Sequence, residues 1–489
     1  MTDSSQQKEN KTPYQKLRRL AIVAFFIYFA VVCIFPLLAG KQLYIRQSRS
    51  NLAMAEATTG TGELTAQSNG VNQTFVTNIQ RLEKITVLWA TYNRENAGTV
   101  YVELYRQSDM SLLASQILNA ADITNGYISE LVMDKPLEGL AGVPLILRLS
   151  SPDAVTGSAI SPMMDPDTTL EGGSLTVGGQ TVVGTLCFTA EGEDYIWTGL
   201  HYWQFAAALG AVLFTALVVM LWRVKNEKNS FAFHMLSALR KYHFLIHQLV
   251  NRDFKTKYKR SVLGVLWSFL NPLLTTLVQY MIFSNLFRFD VPNYAVYLLS
   301  GVILFNFFSE SCGLMLTSIT GNAGLITKVY MPKYIYPLTR TLSSLINLLL
   351  AMIPLLIVTF VSGLPLRRSF LLLPIPLVCL AVFSLGVGML LSAAMVFFRD
   401  TQFLWGIVSM IWMYGTPLFY PVSIIPEQFQ WIIACNPLYH FITMVRTMLI
   451  DGISPEPLVY FQCMAFALGM FAVGALVFKK TQDKFILHL

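Results

Sequence analysis

Chemistry-bearing side chains are sparse in this sequence, and none gathers into a catalytic set. No GxxxxGK(S/T) stretch is present, so the chain has no P-loop to cradle the phosphates of ATP. HExxH and GxSxG are absent too. The nearest approach to paired carboxylates is Asp165 and Asp167 in MMDPD, in a Gly-, Pro- and Ser-rich stretch that reads as a turn. Cys33, Cys187, Cys312, Cys379, Cys435 and Cys463 are scattered, with no CxxC and no His at ligand spacing. They read as apolar fillers, and no metal site is expected. His440 and Arg446 are polar groups among short apolar stretches, where a lone His is more often a structural donor than a ligand.

What remains are residues suited to docking and stacking. Phe244, Leu245, Leu249, Val250 and Phe254 recur at helical spacing, while Arg252, Asp253, Lys255, Lys257 and Lys259 fall on the other side. Tyr258 and Arg260 close this basic stretch, and after Ser261 no charge occurs until Arg288. Such a profile predicts a helix along the cytoplasmic membrane face that then dives into a span. The segment Gly321 to Pro337, GNAGLITKVYMPKYIYP, sits between spans and is unusually apolar for a connection, with Leu325, Ile326, Val329, Tyr330 and Met331 beside Lys328, Pro332 and Lys333. Apolar surface of this kind is covered by a partner or by the chain's own bundle. Arg399 and Asp400 in FFRD mark a tight turn where they would cap helices or pair across the bundle. Then GTPLFYP, with Tyr414, Phe419 and Tyr420 in or beside it, and NPLYH, with Tyr439, bracket short apolar helices around Trp431–Ala434 and Phe441–Met448. Both are too short to cross a bilayer, so interfacial or re-entrant helices are expected.

The elements that position these groups are mostly membrane spans. Composition is 54% hydrophobic and 13% charged, with a mean hydropathy of +0.52, too apolar for a soluble chain. Residues 41–200 hold 9 basic and 17 acidic residues, a charge of −8, so an overall +7 leaves +15 for the rest. Basic charge beside apolar runs is the positive-inside pattern, not a nucleic-acid footprint. The reading is a cytoplasmic tail (1–19), an anchor (20–40), an extracytoplasmic domain (41–200), a second span (203–222), a basic linker and surface helix (223–260), and a six-span domain (262–489). The spans fall near 262–286, 293–320, 338–362, 370–397, 402–420 and 457–478, about eight in all with the two N-terminal ones. Both termini and the segments 223–260, 321–337 and 398–401 are placed in the cytoplasm. Arg367 and Arg368, in a Gly-Leu-Pro turn, run against the charge rule. A cleavable signal peptide is the rival reading of 20–40, but its apolar run is longer than a signal core of about 7–15 residues.

Residues 41–200 change period. Gln42 to Val71 is polar and reads as helical or loose. ITVLWATY, TVYVELYR, GVPLILRLSS and QTVVGTLCFTA are β-rich and separated by turn residues. Short strands at this rhythm predict a β-sandwich, loosely resembling the jelly-roll, carbohydrate-binding type. Trp89, Tyr92, Tyr101, Tyr105 and Tyr127 are either a stacking platform for sugar rings or ordinary sheet residues.

From about Phe244 to the C-terminus the chain resembles ABC-2 type permeases of the branch that exports lipid-linked polysaccharide, O-antigen or teichoic acid. The resemblance rests on KYKRSVLGVLWSFLNPLL, KVYMPKYIYPL, FFRD, GTPLFYP and NPLYH in this order. It implies a homodimer of six-span subunits, with an ATPase subunit docked under each, two copies in all. This chain would carry no cofactor, ATP and Mg belonging to the ATPase. Phe244–Lys259 would be the interface helix and Gly321–Met331 the coupling helix, making Arg252, Asp253, Lys257, Tyr258, Arg260, Leu325, Lys328, Tyr330, Pro332 and Lys333 the docking residues. The helices in 422–447 would form an outer gate, with Trp267, Tyr414, Phe419, Tyr420, Tyr439, His440 and Arg446 along the substrate path. The first 230 residues have no counterpart in that resemblance. Other readings are a membrane-bound glycan-modifying transferase, which needs a catalytic carboxylate or His at the bilayer surface, and a glycan-sensing anchor, for which six further spans are excessive.

Overall fold

In the computed structural model, described over residues 2–52, 59–226, 241–259, 262–286, 291–328 and 331–488, apolar runs became helices and the alternating runs became sheets. The chain forms two units, Met1–Leu43 with His201–Leu489, and Tyr44–Leu200.

The first unit is helical: α1 (Thr2–Ala39), α2 (Tyr202–Lys225), α3 (His243–Tyr258), α4 (Trp267–Leu286), α5 (Tyr294–Leu316), α6 (Ile335–Val361), α7 (Pro374–Phe397), α8 (Thr401–Tyr414), α9 (Pro437–Arg446) and α10 (Pro457–Thr481). Among the described residues, seven helical stretches are long and apolar enough to cross a membrane. The eighth expected span, 402–420, is instead the 14-residue α8. It rises about 21 Å, short of a hydrocarbon core of about 30 Å. Thr416-Pro417 and Pro421 follow, and proline cannot continue the hydrogen-bond ladder. The polar segment expected as a tail is part of α1. Gln6, Gln7, Lys8, Glu9 and Lys11 are good helix formers, and the apolar run supplies the nucleus they extend.

α1 and α2 are fastened by Tyr202, whose hydroxyl donates to Val32 O at 2.8 Å, and by Tyr28 donating to Ala206 O. Phe35 meets Tyr460 of α10 edge-on at 5.0 Å, tying α1 to the last span. The main core gathers α5, α6, α7, α9 and α10 around Phe308, Leu380 and Phe441. α7 and α10 cross closely because glycines face each other. A Cβ on Gly474 would lie 2.1 Å from Gly386 O, and one on Gly386 2.6 Å from the Met470 backbone.

The second unit has thirteen strands among the described residues, every pairing antiparallel. One sheet runs β1 (Ile45–Leu52), β13 (Phe188–Tyr195), β4 (Arg81–Ala90), β9 (Ser161–Asp165), β12 (Thr185–Leu186), with β2 (Thr59–Gly60) on β9 and β7 (Ile128–Glu138) on β4. The other runs β11 (Gln180–Val182), β10 (Ser174–Val177), β3 (Val71–Val76), β8 (Pro144–Ser150), β5 (Thr99–Arg106), β6 (Leu112–Asn119). Their inner faces share one core, with Phe75 edge-on to Phe188 at 4.9 Å. The sandwich agrees with the strand rhythm. The start of 42–71 does not, because Ile45–Leu52 is an edge strand, not helix or loose chain. Its residues are too polar to signal a strand. The partner supplies the support, through Arg49–Glu191 at 3.0 Å and Ser48 donating to Asp194. Asp165 accepts from Thr168 Oγ1 at 2.6 Å and Asp167 N at 2.9 Å, a turn as read from the sequence. Four cysteines are buried and Cys33 is half-buried, but Cys435 is exposed and fills no core.

Candidate functional site

α3 buries Leu249 and Val250, half-buries Leu245, Ile246 and Asp253, and exposes Gln248, Asn251, Arg252 and Lys255. The stripe recurs every three to four residues, as an amphipathic helix requires. Two residues depart from the expected faces. Phe244, assigned to the apolar side, is exposed. Asp253, assigned to the wet side, turns in to Arg340 of α6 at 2.7 Å. Lys257 stays on the exposed side and meets Glu310 of α5 at 2.6 Å, and Glu310 also accepts from Asn347 of α6 at 3.0 Å. Two ion pairs thus clasp α3 to the spans beside it. Tyr258 ends α3, and Arg260 lies outside the described residues.

A polar groove opens where these pairs meet. One part, about 560 Å³, is lined by Arg252, Asp253, Lys257, Glu310, Arg340 and Asn347. A second, about 280 Å³, shares Lys257, Glu310 and Asn347 and adds Trp267, Asn306 and Ser344. Glu310 and Arg340 were not singled out in the sequence. The signal was one Glu inside 293–320 and one Arg inside 338–362, each an ionisable group in a span.

The 321–337 connection begins with a one-turn helix, Ala323–Ile326. Its apolar side chains lie against the chain's own bundle: Ile326, Met331, Ile335 and Tyr336 share a core with Met389, Phe478 and Phe485. Leu325 and Pro332 are half-buried, and Gly324, Thr327 and Lys328 are exposed. Lys333 turns inward, donating to Gln482 O at 2.5 Å and sitting 5.8 Å from the Phe485 ring. That places it as a tie to the C-terminal segment. Tyr330 lies outside the described residues. At the FFRD turn Asp400 makes no side-chain cap; the Thr401 hydroxyl bonds Phe398 O at 2.6 Å instead.

At the far end, Gly415–Pro421 leaves α8 unwound, and its carbonyls need donors. Arg446 supplies them. It is 7% exposed, and its guanidinium donates to Pro417 O at 2.9 Å, Leu418 O at 3.0 Å and Tyr297 O at 3.0 Å, lying 3.3 Å over the Tyr297 ring. Tyr294 adds a bond to Phe419 O at 2.6 Å and Tyr297 one to Tyr420 O at 2.9 Å. Asn436 accepts from Trp412 Nε1 at 2.9 Å and caps α9. Tyr294 and Tyr297 gave no sequence signal beyond their polarity, whereas Asn436 opens the NPLYH motif as an N-cap residue before proline. His440 is buried with its ring on Ala434 O at 2.7 Å, the structural role expected of a lone His. Phe419 is buried, stacked on Phe283 at 5.3 Å. Arg446, His440 and Phe419 therefore build the hairpin from within. Tyr414 and Trp267 are exposed, and Tyr420 and Tyr439 half-buried.

In the sandwich the five aromatic residues do not share a surface. Trp89 is fully buried, its Nε1 donating to Ser129 Oγ at 2.7 Å, so it belongs to the core. Tyr101 and Tyr105 stand on the outer face of the six-stranded sheet, with Glu103 between them and Arg148 opposite Glu103. Tyr92 and Tyr127 are exposed near the end of the other sheet.

Residues 245–450 match the family described as ABC-2 type transporter. An O-antigen export system permease protein of Klebsiella pneumoniae is 32% identical over 243 residues, which is 93% of its length and 49% of this chain. A Myxococcus xanthus protein of the same description is 26% identical over 97% of its length and 51% of this chain. A polysialic acid transport protein of Escherichia coli is 22% identical over 93% of its length. The chain belongs to the ABC-2 type transporter permeases, multi-pass proteins of the membrane. Its two-sheet domain precedes the residues that the family match covers.

Proposed function

We propose that this chain is the membrane subunit of an exporter that moves a lipid-linked cell-surface polysaccharide, of O-antigen or teichoic-acid type, across the cytoplasmic membrane. The observation that carries the reading is the 32% identity to an O-antigen export permease across 93% of that protein. The missing P-loop makes ATP hydrolysis, with its Mg, the work of a separate ATPase subunit. Two permease copies would each hold one ATPase on the exposed side of α3, through Arg252 and Lys255, and on the short helix with Gly324 and Lys328. The groove would be the entry and the Arg446-braced hairpin the outer gate, with both termini in the cytoplasm. In the sandwich, Tyr101 and Tyr105 are the residues proposed to stack on emerging sugar rings. Co-purification tests the central reading. The full chain should retain a P-loop ATPase encoded beside it and stimulate its hydrolysis; retention of none, with no stimulation, sinks it.

A further inference from the structure

The groove between α3, α4, α5 and α6 has features that a general polar passage would not require. We propose that it is a binding site for the phosphate-bearing head of a lipid, and that Glu310 holds Lys257 until that head arrives. This rests on the export reading and names the part of the cargo that the site takes.

Three observations converge. First, among the described residues that line the groove, the cations Arg252, Lys257 and Arg340 outnumber the carboxylates Asp253 and Glu310, a net positive charge of one. Both carboxylates are already committed to cations, so a further anion meets the excess. Second, Trp267 and Ser268 open the 20-residue helix α4 and line the groove, bringing the positive end of its dipole to the site. Third, Ser344 lines the same space at 1% exposure, and its hydroxyl has no hydrogen-bond partner among the described residues. A buried hydroxyl left unpaired is costly unless a ligand completes it.

The position suits a lipid head. Glu310 lies six residues from the end of α5, about 9 Å along its axis. Asn347 lies twelve residues into α6, about 18 Å. The groove therefore starts at the surface helix α3 and runs into the bundle. Trp267, 45% exposed, and the amides of Asn271, Asn306 and Asn347 present a stacking plane and paired donors for a first sugar. Lysine suits phosphate as a compact point charge. A phosphate on Lys257 would replace Glu310 and open one of the two clasps on α3.

The test measures binding of a polyprenyl diphosphate to the full chain in nanodiscs of zwitterionic lipid. Comparison probes are the uncharged polyprenol, phosphatidylglycerol and inorganic pyrophosphate. Glu310→Gln removes the competitor and should tighten binding, and Lys257→Gln should weaken it about tenfold or more. Lys257→Arg should restore most of the affinity. Ser344→Ala, a smaller change, should weaken binding without lowering the melting temperature of the unliganded chain. A purely structural clasp predicts instead that Glu310→Gln and Lys257→Gln lose affinity together or leave it unchanged; either result overturns the proposal. Equal binding of polyprenol overturns the head assignment, and equal binding of phosphatidylglycerol overturns its assignment to the cargo. Equal binding of inorganic pyrophosphate assigns the site to free phosphate and overturns the lipid source. Should these affinities stay flat while ATP-driven export proceeds, the site fails and the export reading stands.

Discussion

Arg446→Met is the substitution that tests the hairpin most sharply. The side chain keeps an unbranched apolar stem and loses its donors. Three carbonyls are affected. Tyr297 O keeps the Ser300 hydroxyl at 3.0 Å, and Pro417 O is left a share of the Tyr297 hydroxyl, 3.3 Å away and donated mainly to Tyr420 O at 2.9 Å. Leu418 O loses its donor outright. One orphaned buried carbonyl costs about 1–3 kcal/mol, and each weakened one about 1 kcal/mol. Relief of the buried charge offsets part of this. The gross loss is thus about 3–5 kcal/mol and the net about 2–4 kcal/mol. Scanning fluorimetry of the full chain should record a fall on the order of 10 °C. Arg446→Lys keeps the charge but cannot span three carbonyls, so it should recover less than half. A Cβ at Gly301 would lie 2.8 Å from Arg446 Nη2, so Gly301→Ala should destabilise the wild type and do little once Arg446 is Met. An unchanged melting temperature for Arg446→Met, or additive losses in the double variant, would refute the reasoning.

Other consequences follow from the packing. Gly474→Ala puts a Cβ 2.1 Å from Gly386 O, so it should lower the melting temperature more than Gly469→Ala, where nothing lies within 4 Å. Trp89→Phe removes the bond to Ser129 and should destabilise the sandwich by about 1–3 kcal/mol in urea while sparing glycan binding. Tyr101→Ala should do the reverse, lowering affinity in a titration of the 41–200 unit with the cell's polysaccharide; no wild-type binding at millimolar glycan would remove the stacking role. The side-chain hydrogen bond from Arg94, then the backbone N–H of Gly157, hold the Glu63 carboxyl below its ordinary range. A lowered folded pKa means the stabilisation is full above the unfolded value, about 4.3, and is lost as pH falls through the folded one. Glu63→Gln should flatten that acid limb, and an unchanged pH profile would show that Glu63 contributes nothing.

Hydropathy made most of the helical plan legible, because a span must satisfy its backbone internally and declares itself as one long apolar run. It failed at α8, where two prolines, not polarity, end the helix. Alternation made β5 legible, but it shows only that Tyr101, Glu103 and Tyr105 share a face, not which face a second sheet will cover. Hence the sequence left Trp89 open between stacking platform and ordinary sheet residue, and the fold makes it core. The edge strand Ile45–Leu52 was hidden because cross-strand ion pairs to β13 support it. The groove was the least legible part. Lys257 and Asp253 sit on the charged side of α3 in any helical projection, and their partners Glu310 and Arg340 are 53 and 87 positions further along the sequence. Only the fold sets those pairs together.

Transport itself is the direct test. The full chain and the ATPase encoded beside it would be reconstituted in sealed vesicles loaded with a lipid-linked polysaccharide labelled on its sugar. Accessibility of the label on the far leaflet would be followed with an impermeant lectin. The account predicts transfer that needs ATP, the ATPase and this chain together, and that falls when Arg446 is Met. Transfer without the ATPase, or none with all three present, would contradict it.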